Sequence, residues 1–217
     1  MLKKSLLCSL FFANILFASG SEVNVYSQRH YDSDKALFKK FEEKTGIKVN
    51  LITAKAEELV SRLSIEGANS PSDILITADI GNLYEAKERD LLQGVSSKTL
   101  EKNIPAHLRD EGGKWFAITK RARLFVYNPK TINPAHLDDY FSLTKPEFKG
   151  KVITRSSTNA YNKSLLASII AHHGEEKSLE FVKGLVNNFA RDQKGADKHQ
   201  IRAVSAGKDD ISIVNSC

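Results

Sequence analysis

Tyr26-Ser27-Gln28-Arg29-His30-Tyr31 connects a short apolar run, which contains Val23 and Val25, to an amphipathic pattern that starts near Asp34. An apolar run, a polar loop and a helical pattern in this order predict a strand–loop–helix unit of an open α/β sheet. In such sheets the loop lies at the carboxyl end of the strand, where ligands bind. An imidazole and a phenol side by side make this loop a candidate site for a metal ion or a small ligand.

The same order of strand, loop and helix recurs along the first half of the chain. The predicted elements are strands at 23–26, 47–51 and 73–77, helices at 35–44 and 56–66, and a helix capped by Asp79 that reaches about Arg89. In the first helix Leu37, Phe38 and Phe41 lie on one face, and Gly46 follows the end. This alternation predicts the α/β class, with a mainly parallel sheet and helices on both of its faces.

The pattern changes near Trp115. Residues 115–119 and 124–127 predict neighbouring strands, closed by a turn at Asn128-Pro129. A second α/β segment follows, with predicted strands at 152–153 and 211–214, helices at 160–173 and 175–189, and a helix that Asp197 caps and Gly207 ends. The residues expected to face inward from the two longer helices are Leu165, Leu166, Ile169, Ile170, Leu179, Val182, Leu185 and Val186. Because the chain stops soon after the last strand, this second lobe is expected to be incomplete.

The first twenty residues have the pattern of an export signal. Lys3 and Lys4 precede an apolar segment at 6–17, and the small residues at 18–20 suit cleavage. The apolar segment is too short for a bilayer core of roughly 30 Å. The mature protein is therefore expected to begin near Ser21 and to be located in the periplasm.

Charge and cysteine content exclude some classes of protein. The formal charge is +6, and it falls to +4 when the lysines of the signal are removed. Such a mild excess indicates a solvated basic surface, not a nucleic-acid partner. Cys8 is expected to be removed with the signal, so Cys217 has no disulfide partner within the mature chain. The protein is expected to be a monomer.

Several stretches together resemble a known family. They are Tyr26–Tyr31, Thr77-Ala78-Asp79-Ile80-Gly81, Trp115–Asn128 with its Arg121-Ala122-Arg123, Ser156–Tyr161, and Gln200–Gly207 leading into Asn215-Ser216. From about Glu22 to Ser216 the chain resembles the ferric-ion-binding proteins of bacterial periplasmic ABC importers, which are type II solute-binding proteins. The resemblance implies two α/β lobes, here at 21–120 and 121–217, with Fe(III) in the cleft between them. It also implies an inner-membrane ABC permease as partner.

The resemblance also implies a set of iron ligands. In the tyrosine-rich branch of the family, a His-Tyr pair matches His30 and Tyr31, and a tyrosine of the second lobe matches Tyr161. Two consecutive tyrosines are expected after Asn215-Ser216, where this chain has Cys217. Independently of the family, Fe(III) is a hard cation that prefers anionic oxygen donors such as phenolate. Free tyrosine ionises only near pH 10, so the metal must displace the phenol proton.

An anion-binding role is expected for other polar residues of the second lobe. The loop with Ser156, Ser157 and Asn159 precedes a helix, and helix N-termini bind anions. Arg123, together with Arg121, is either an anion-binding group or a charge on the surface of a strand. A synergistic anion beside the iron is therefore a further hypothesis.

Other functions remain as alternatives to iron transport. The chain contains no nucleophile elbow, no HExxH and no phosphate-binding glycine loop, so an enzyme is not expected. A different solute, such as a phosphate ester, a polyamine or a thiamine-like compound, would suit the same fold. A truncated remnant without function is the last alternative, and in it the strand at 211–214 would present an unpaired edge prone to aggregation.

Overall fold

The computed structural model describes residues 21–216. The expected export signal at 1–20 and Cys217 lie outside the described residues. The chain divides into two compact units, the first ending at Ala78 and the second beginning at Asp79. The lobe boundary expected after residue 120 stays a prediction. Among the described helices, none is long and apolar enough to cross a membrane.

The first unit is built on a three-stranded parallel sheet. Its central strand is β1 (Glu22–Ser27), flanked by β2 (Lys48–Thr53) and β3 (Ile74–Ile76). The connecting helices are α1 (Asp32–Thr45) and α2 (Ala56–Glu66). The prediction of an α/β fold with parallel strands is confirmed in this unit, because strand and helix periods follow each other clearly in the sequence.

The two helices of the first unit are buried to different extents. In α2, Ala56, Leu59, Val60 and Leu63 are buried. In α1 no residue is buried, and Leu37 and Phe41 remain 65% and 40% exposed. The apolar face predicted for the first helix is therefore present but is not covered by the described residues.

The second unit contains a mixed sheet in the order β4-β6-β5. The strands are β4 (Arg123–Tyr127), β5 (Val152–Ile153) and β6 (Ile211–Asn215), and β6 runs antiparallel to β4 and parallel to β5. The helices are α3 (Ile80–Glu88), α4 (Lys98–Asn103), α5 (Ala160–Asn187) and α6 (Asp197–Ser205). Asp79 caps α3, as predicted, by accepting a hydrogen bond of 2.9 Å from the Gly81 N–H.

The predicted strand at 115–119 is wrong. Phe116 forms only an isolated bridge with Arg109, and β4 pairs with β6 instead. The Ala117 N–H donates to the Leu108 carbonyl at 2.9 Å, so this segment satisfies its backbone groups with the preceding loop. The apolar pattern identified a partly buried segment but could not identify its hydrogen-bonding partner.

The exposed edge at 211–214, which the alternative of a truncated remnant implied, is not observed. β6 is the central strand of its sheet, and all of its residues are buried. Its Ile211 and Ile213 join a core with Ile132, Leu143, Phe148 and Val152. The edge that was expected to promote aggregation is therefore covered by β4 on one side and β5 on the other.

The two helices predicted at 160–189 are the two halves of α5. They meet at Gly174, whose backbone is not helical (φ 80°, ψ 168°). Ile169 is buried as expected, but Ile170, Leu179 and Val186 are 38%, 54% and 55% exposed. These three were wrongly expected to face inward, since the helices bury a narrower stripe than their apolar residues span.

Candidate metal and anion sites

The loop between β1 and α1 is held in one conformation by its own side chains. The buried Ser27 hydroxyl accepts from the Arg29 N–H and donates to the Arg29 carbonyl, both at 3.0 Å. The Gln28 side-chain oxygen accepts from the Ala78 N–H at 2.8 Å, which ties the loop to the end of β3. The loop therefore sits at the carboxyl edge of the first sheet, where the sequence placed it.

Arg29 fixes the start of α1. Its guanidinium donates to both carboxylate oxygens of Asp34, at distances from 2.8 to 3.3 Å. These hydrogen bonds hold the pKa of the Asp34 carboxyl below its ordinary value, against the opposing effect of burial. Because the guanidinium also lies 5.3 Å from the centre of the Tyr31 ring, this pair restrains the candidate ligand loop.

His30 and Tyr31 present their rings side by side on the surface of the first unit. The rings stack with centroids 5.2 Å apart and planes 19° apart. The His30 Nδ1 lies 3.5 Å from the Gln28 carbonyl oxygen, and Tyr31 is 48% exposed. With Nδ1 turned toward a backbone carbonyl, Nε2 is the imidazole atom that remains available to a metal.

The loop between β5 and α5 carries Tyr161 in the second unit. Asn159 caps α5 by accepting a hydrogen bond of 3.1 Å from the Tyr161 N–H. The Ser156 hydroxyl lies 2.9 Å from that of Thr158, and Ser157 is exposed. The side chains of Ser156 and Asn159, predicted to bind an anion, are thus engaged in local hydrogen bonds that shape the helix N-terminus.

Guanidinium groups surround the Tyr161 side chain. Arg121 donates to its hydroxyl at 3.1 Å. Arg155 places its guanidinium carbon 5.2 Å from the centre of the same ring. The phenol is therefore held between a hydrogen-bond donor at its oxygen and a cation over its ring.

Behind Tyr161, Arg123 and Asp197 link the loop to the end of β6. Arg123 donates to the side-chain oxygens of Asn162 at 2.8 Å and Asn215 at 3.2 Å. Burial lowers the pKa of the Arg123 guanidinium, and the nearby Asp197 carboxylate partly opposes this effect. Among the described residues, the Nε atoms of Arg123 and Arg155 and the Nδ2 of Asn215 are buried without a hydrogen-bond partner. Unsatisfied buried donors of this kind suit an anion or a bound water.

The sequence identified Arg123 as a candidate anion-binding residue but not Arg155 and Asp197, which lie in the same cluster. The sequence pattern predicted a polar loop at Arg155 and a helix cap at Asp197. In the structure Ala196 is the N-cap of α6, and the Asp197 carboxylate accepts from the Asn215 N–H at 3.1 Å. Only the contact between Arg155 and Asp197, which are 42 positions apart, would have indicated that they belong to this cluster.

Comparison with known proteins identifies the family. A model of the family described as "Bacterial extracellular solute-binding protein" matches residues 69–217. The chain belongs to this family. The resemblance inferred from its residues is confirmed at that level, and the family description is that of a binding protein, not of an enzyme.

Curated relatives of this solute-binding protein are named for iron. It is 49% identical over 195 residues to Iron uptake protein A1 of Synechocystis, covering 90% of this chain and 54% of that protein. It is 29% identical over 191 residues to the Fe(3+)-binding periplasmic protein of Serratia marcescens, covering 88% and 55%. The chain thus spans about half the length of these curated relatives.

Solved structures confirm the α/β solute-binding fold. A ferric binding protein from Campylobacter jejuni superposes with a TM-score of 0.85 at 54% identity, over 89% of this chain and 62% of that one. A Trichodesmium protein in complex with iron and citrate superposes with a TM-score of 0.85 at 47% identity, over 90% and 62%.

Proposed function

We propose that this solute-binding protein binds Fe(III) in the periplasm and delivers it to an inner-membrane ABC permease. The observation that carries the proposal is the exposed His30-Tyr31 pair on the loop between β1 and α1. The relatives that support it, at 49% and 47% identity, are iron uptake proteins of Synechocystis. The Serratia relative is named as periplasmic, which supports the same compartment.

The proposed ligands are His30, Tyr31 and Tyr161. His30 coordinates through Nε2 as a neutral imidazole, while the tyrosines coordinate as phenolates and release their protons on binding. Hard anionic oxygen suits a small, highly charged cation. The hydrogen bond from Arg121 keeps the Tyr161 oxygen oriented as an acceptor. In the family that the chain resembles, two further tyrosine ligands follow the positions that match Asn215-Ser216. That part of the ligand set stays a prediction.

An anion is proposed to accompany the iron. The buried donors of Arg123, Arg155 and Asn215 that lack partners among the described residues support this role. The N-terminus of α5, beside Ser156, Ser157 and Asn159, adds the partial positive charge of the helix dipole, which favours an anion. Citrate is the first anion to test, because a Trichodesmium relative was solved with iron and citrate.

Titration with ferric citrate tests the proposal. A visible absorbance band from phenolate-to-iron charge transfer should grow to saturation in the unaltered protein. Tyr161→Phe, which removes one phenolate and keeps the ring, should weaken this band and reduce the affinity for Fe(III) by at least tenfold. The matched control is Tyr84→Phe, a tyrosine that is 57% exposed on α3 and should leave binding unchanged.

Two results would count against the proposal. One is the absence of any saturable Fe(III) binding by the unaltered protein. The other is thermal stabilisation by a phosphate ester in the absence of iron, which would favour an organic anion as the natural solute. Unchanged affinity in Tyr161→Phe would instead remove Tyr161 from the ligand set while leaving the iron function in place.

A further inference from the structure

We propose that Asp197 is a positioning residue that holds Arg155 against the Tyr161 ring and joins the Tyr161 loop to the end of β6. The inference rests on the proposed function, because it assigns Asp197 a role in shaping the Fe(III) site. Within residues 21–216, the hydrogen bonds and ion pairs of the Asp197 carboxylate go to Arg155, Asn215 and Arg123, and not to a proposed ligand. Its effect is transmitted through Arg155, Arg123 and the backbone of Asn215.

The carboxylate of Asp197 reaches two separate elements. Its Oδ1 accepts a hydrogen bond of 3.3 Å from Arg155, which lies in the loop after β5. Its Oδ2 accepts a hydrogen bond of 3.1 Å from the backbone N–H of Asn215, at the end of β6. The same oxygen lies 3.9 Å from Arg123. One carboxylate therefore fixes the distance between the two segments that end at the carboxyl edge of this sheet.

The loop side of this connection restrains Tyr161. Arg155 is 19% exposed at its side chain, and its guanidinium contacts both the Tyr161 ring and the Asp197 carboxylate. Asn162 adds to the restraint by donating to the carbonyls of Arg155 and Ser156 at 2.8 and 3.2 Å. Functional ligands must be held within about 0.5 Å of their productive position, and supporting residues provide that precision.

A purely structural role for Asp197 makes a different prediction. The second unit contains another partly buried carboxylate–guanidinium pair, in which Asp209 accepts from Arg191 at 3.0 to 3.2 Å. The Asp209 side chain is 8% exposed, and that of Asp197 is 16% exposed. If Asp197 only stabilised the fold, substitution of either aspartate would have the same consequences for Tyr161 and for iron.

The experiment compares Asp197→Asn with Asp209→Asn in the full chain. Biosynthetic 3-fluorotyrosine places a ¹⁹F probe on Tyr161, and its resonance is assigned by its disappearance in Tyr161→Phe. Asp197→Asn should shift this resonance in the iron-free protein and weaken Fe(III) binding by about tenfold or more. Asp209→Asn should lower thermal stability to a similar extent while leaving both the Tyr161 resonance and the affinity unchanged.

Arg155→Gln removes the other partner of the contact between Arg155 and Asp197. It should reproduce the shift of the Tyr161 resonance, and it keeps the experiment informative if Asp197→Asn does not fold. An unchanged Tyr161 resonance in the Asp197 and Arg155 variants would overturn the inference. Failure of the unaltered protein to bind Fe(III) would overturn the proposed function, and the ¹⁹F measurement would still decide whether Asp197 positions Tyr161.

Discussion

Tyr26 and Tyr31 belong to one short stretch but have opposite environments. The Tyr26 ring is fully buried, and its hydroxyl donates to the Glu66 carboxylate at 2.9 and 3.0 Å. Burial and the neighbouring carboxylate raise the pKa of the Tyr26 phenol, so it is a poor source of phenolate. Tyr31 is exposed and stacks on His30. The sequence distinguished the two by position, because Tyr26 lies in the strand and Tyr31 in the loop.

Asp34 offers a prediction at this scale. Its lowered pKa means that the folded state binds the proton more weakly than the unfolded state does. The contribution to stability is therefore complete above the ordinary Asp pKa of about 3.9 and is lost as the pH falls through the lowered value. Asp34→Asn should reduce the free energy of unfolding by about 1 kcal/mol at pH 7, and by progressively less below about pH 4.

Urea unfolding of both proteins at several pH values measures this effect. The control is Asp32→Asn, because the Asp32 side chain is 97% exposed and its contact with Lys35 should contribute little. A loss of stability in Asp34→Asn that did not change between pH 7 and pH 3 would contradict an electrostatic origin.

At the scale of elements, predictions made from local sequence patterns were confirmed, whereas a prediction that depended on long-range strand pairing was wrong. The bounds of α2 agree with the prediction because Ala56–Glu66 carries a clear helical period and Gly67 follows it. The strand expected at 115–119 failed because apolar spacing does not reveal which segment will accept a strand's hydrogen bonds. The contact between Arg155 and Asp197 could not be predicted for the same reason, because the two residues are far apart in the sequence. The residues that pack behind Tyr161 were therefore not identified from the sequence.

The break in α5 provides a prediction at the scale of elements. Gly174 adopts φ 80° and ψ 168°, a conformation that is essentially restricted to glycine. No heavy atom lies within 4 Å of a Cβ placed there, so Gly174→Ala adds backbone strain without a clash. We expect it to lower the free energy of unfolding by about 1–3 kcal/mol.

Thermal and urea unfolding of Gly174→Ala would measure this cost. His172→Ala is the control, since His172 is exposed on the same helix and should change stability by less than about 0.5 kcal/mol. Equal stability of the two variants would mean that α5 can straighten at Gly174.

At the scale of the whole molecule, each unit has its own sheet and its own buried residues. The family assignment agrees with the resemblance, yet the chain spans only 54% of the Synechocystis relative. The α/β class followed from the periodic pattern. The central position of β6 in its sheet could not be predicted from that pattern, because its partners β4 and β5 lie far away in the sequence.

Because each unit has its own sheet, we expect a core mutation in one unit to reduce hydrogen-exchange protection in that unit's sheet and not in the other. Ile213 is 2% exposed in the core of the second unit, and Ile213→Ala should cost about 2–4 kcal/mol. Hydrogen exchange should then quicken in β4, β5 and β6 while β1 keeps its protection. As a reciprocal control, Val25→Ala, which alters a residue that is also 2% exposed, should affect β1 and spare β6. Equal loss of protection in both sheets would show that the units unfold together.

The position of β6 also constrains how the protein is made. Arg123 of β4 meets Asn215 of β6, a partner 92 positions later, and β5 joins the same late strand. On a ribosome the two outer strands emerge long before the strand that lies between them, so this sheet cannot close until Asn215 has been synthesised. Pairing over such separations is also slow. During this interval β4 and β5 lack the strand that pairs with both of them in the folded sheet.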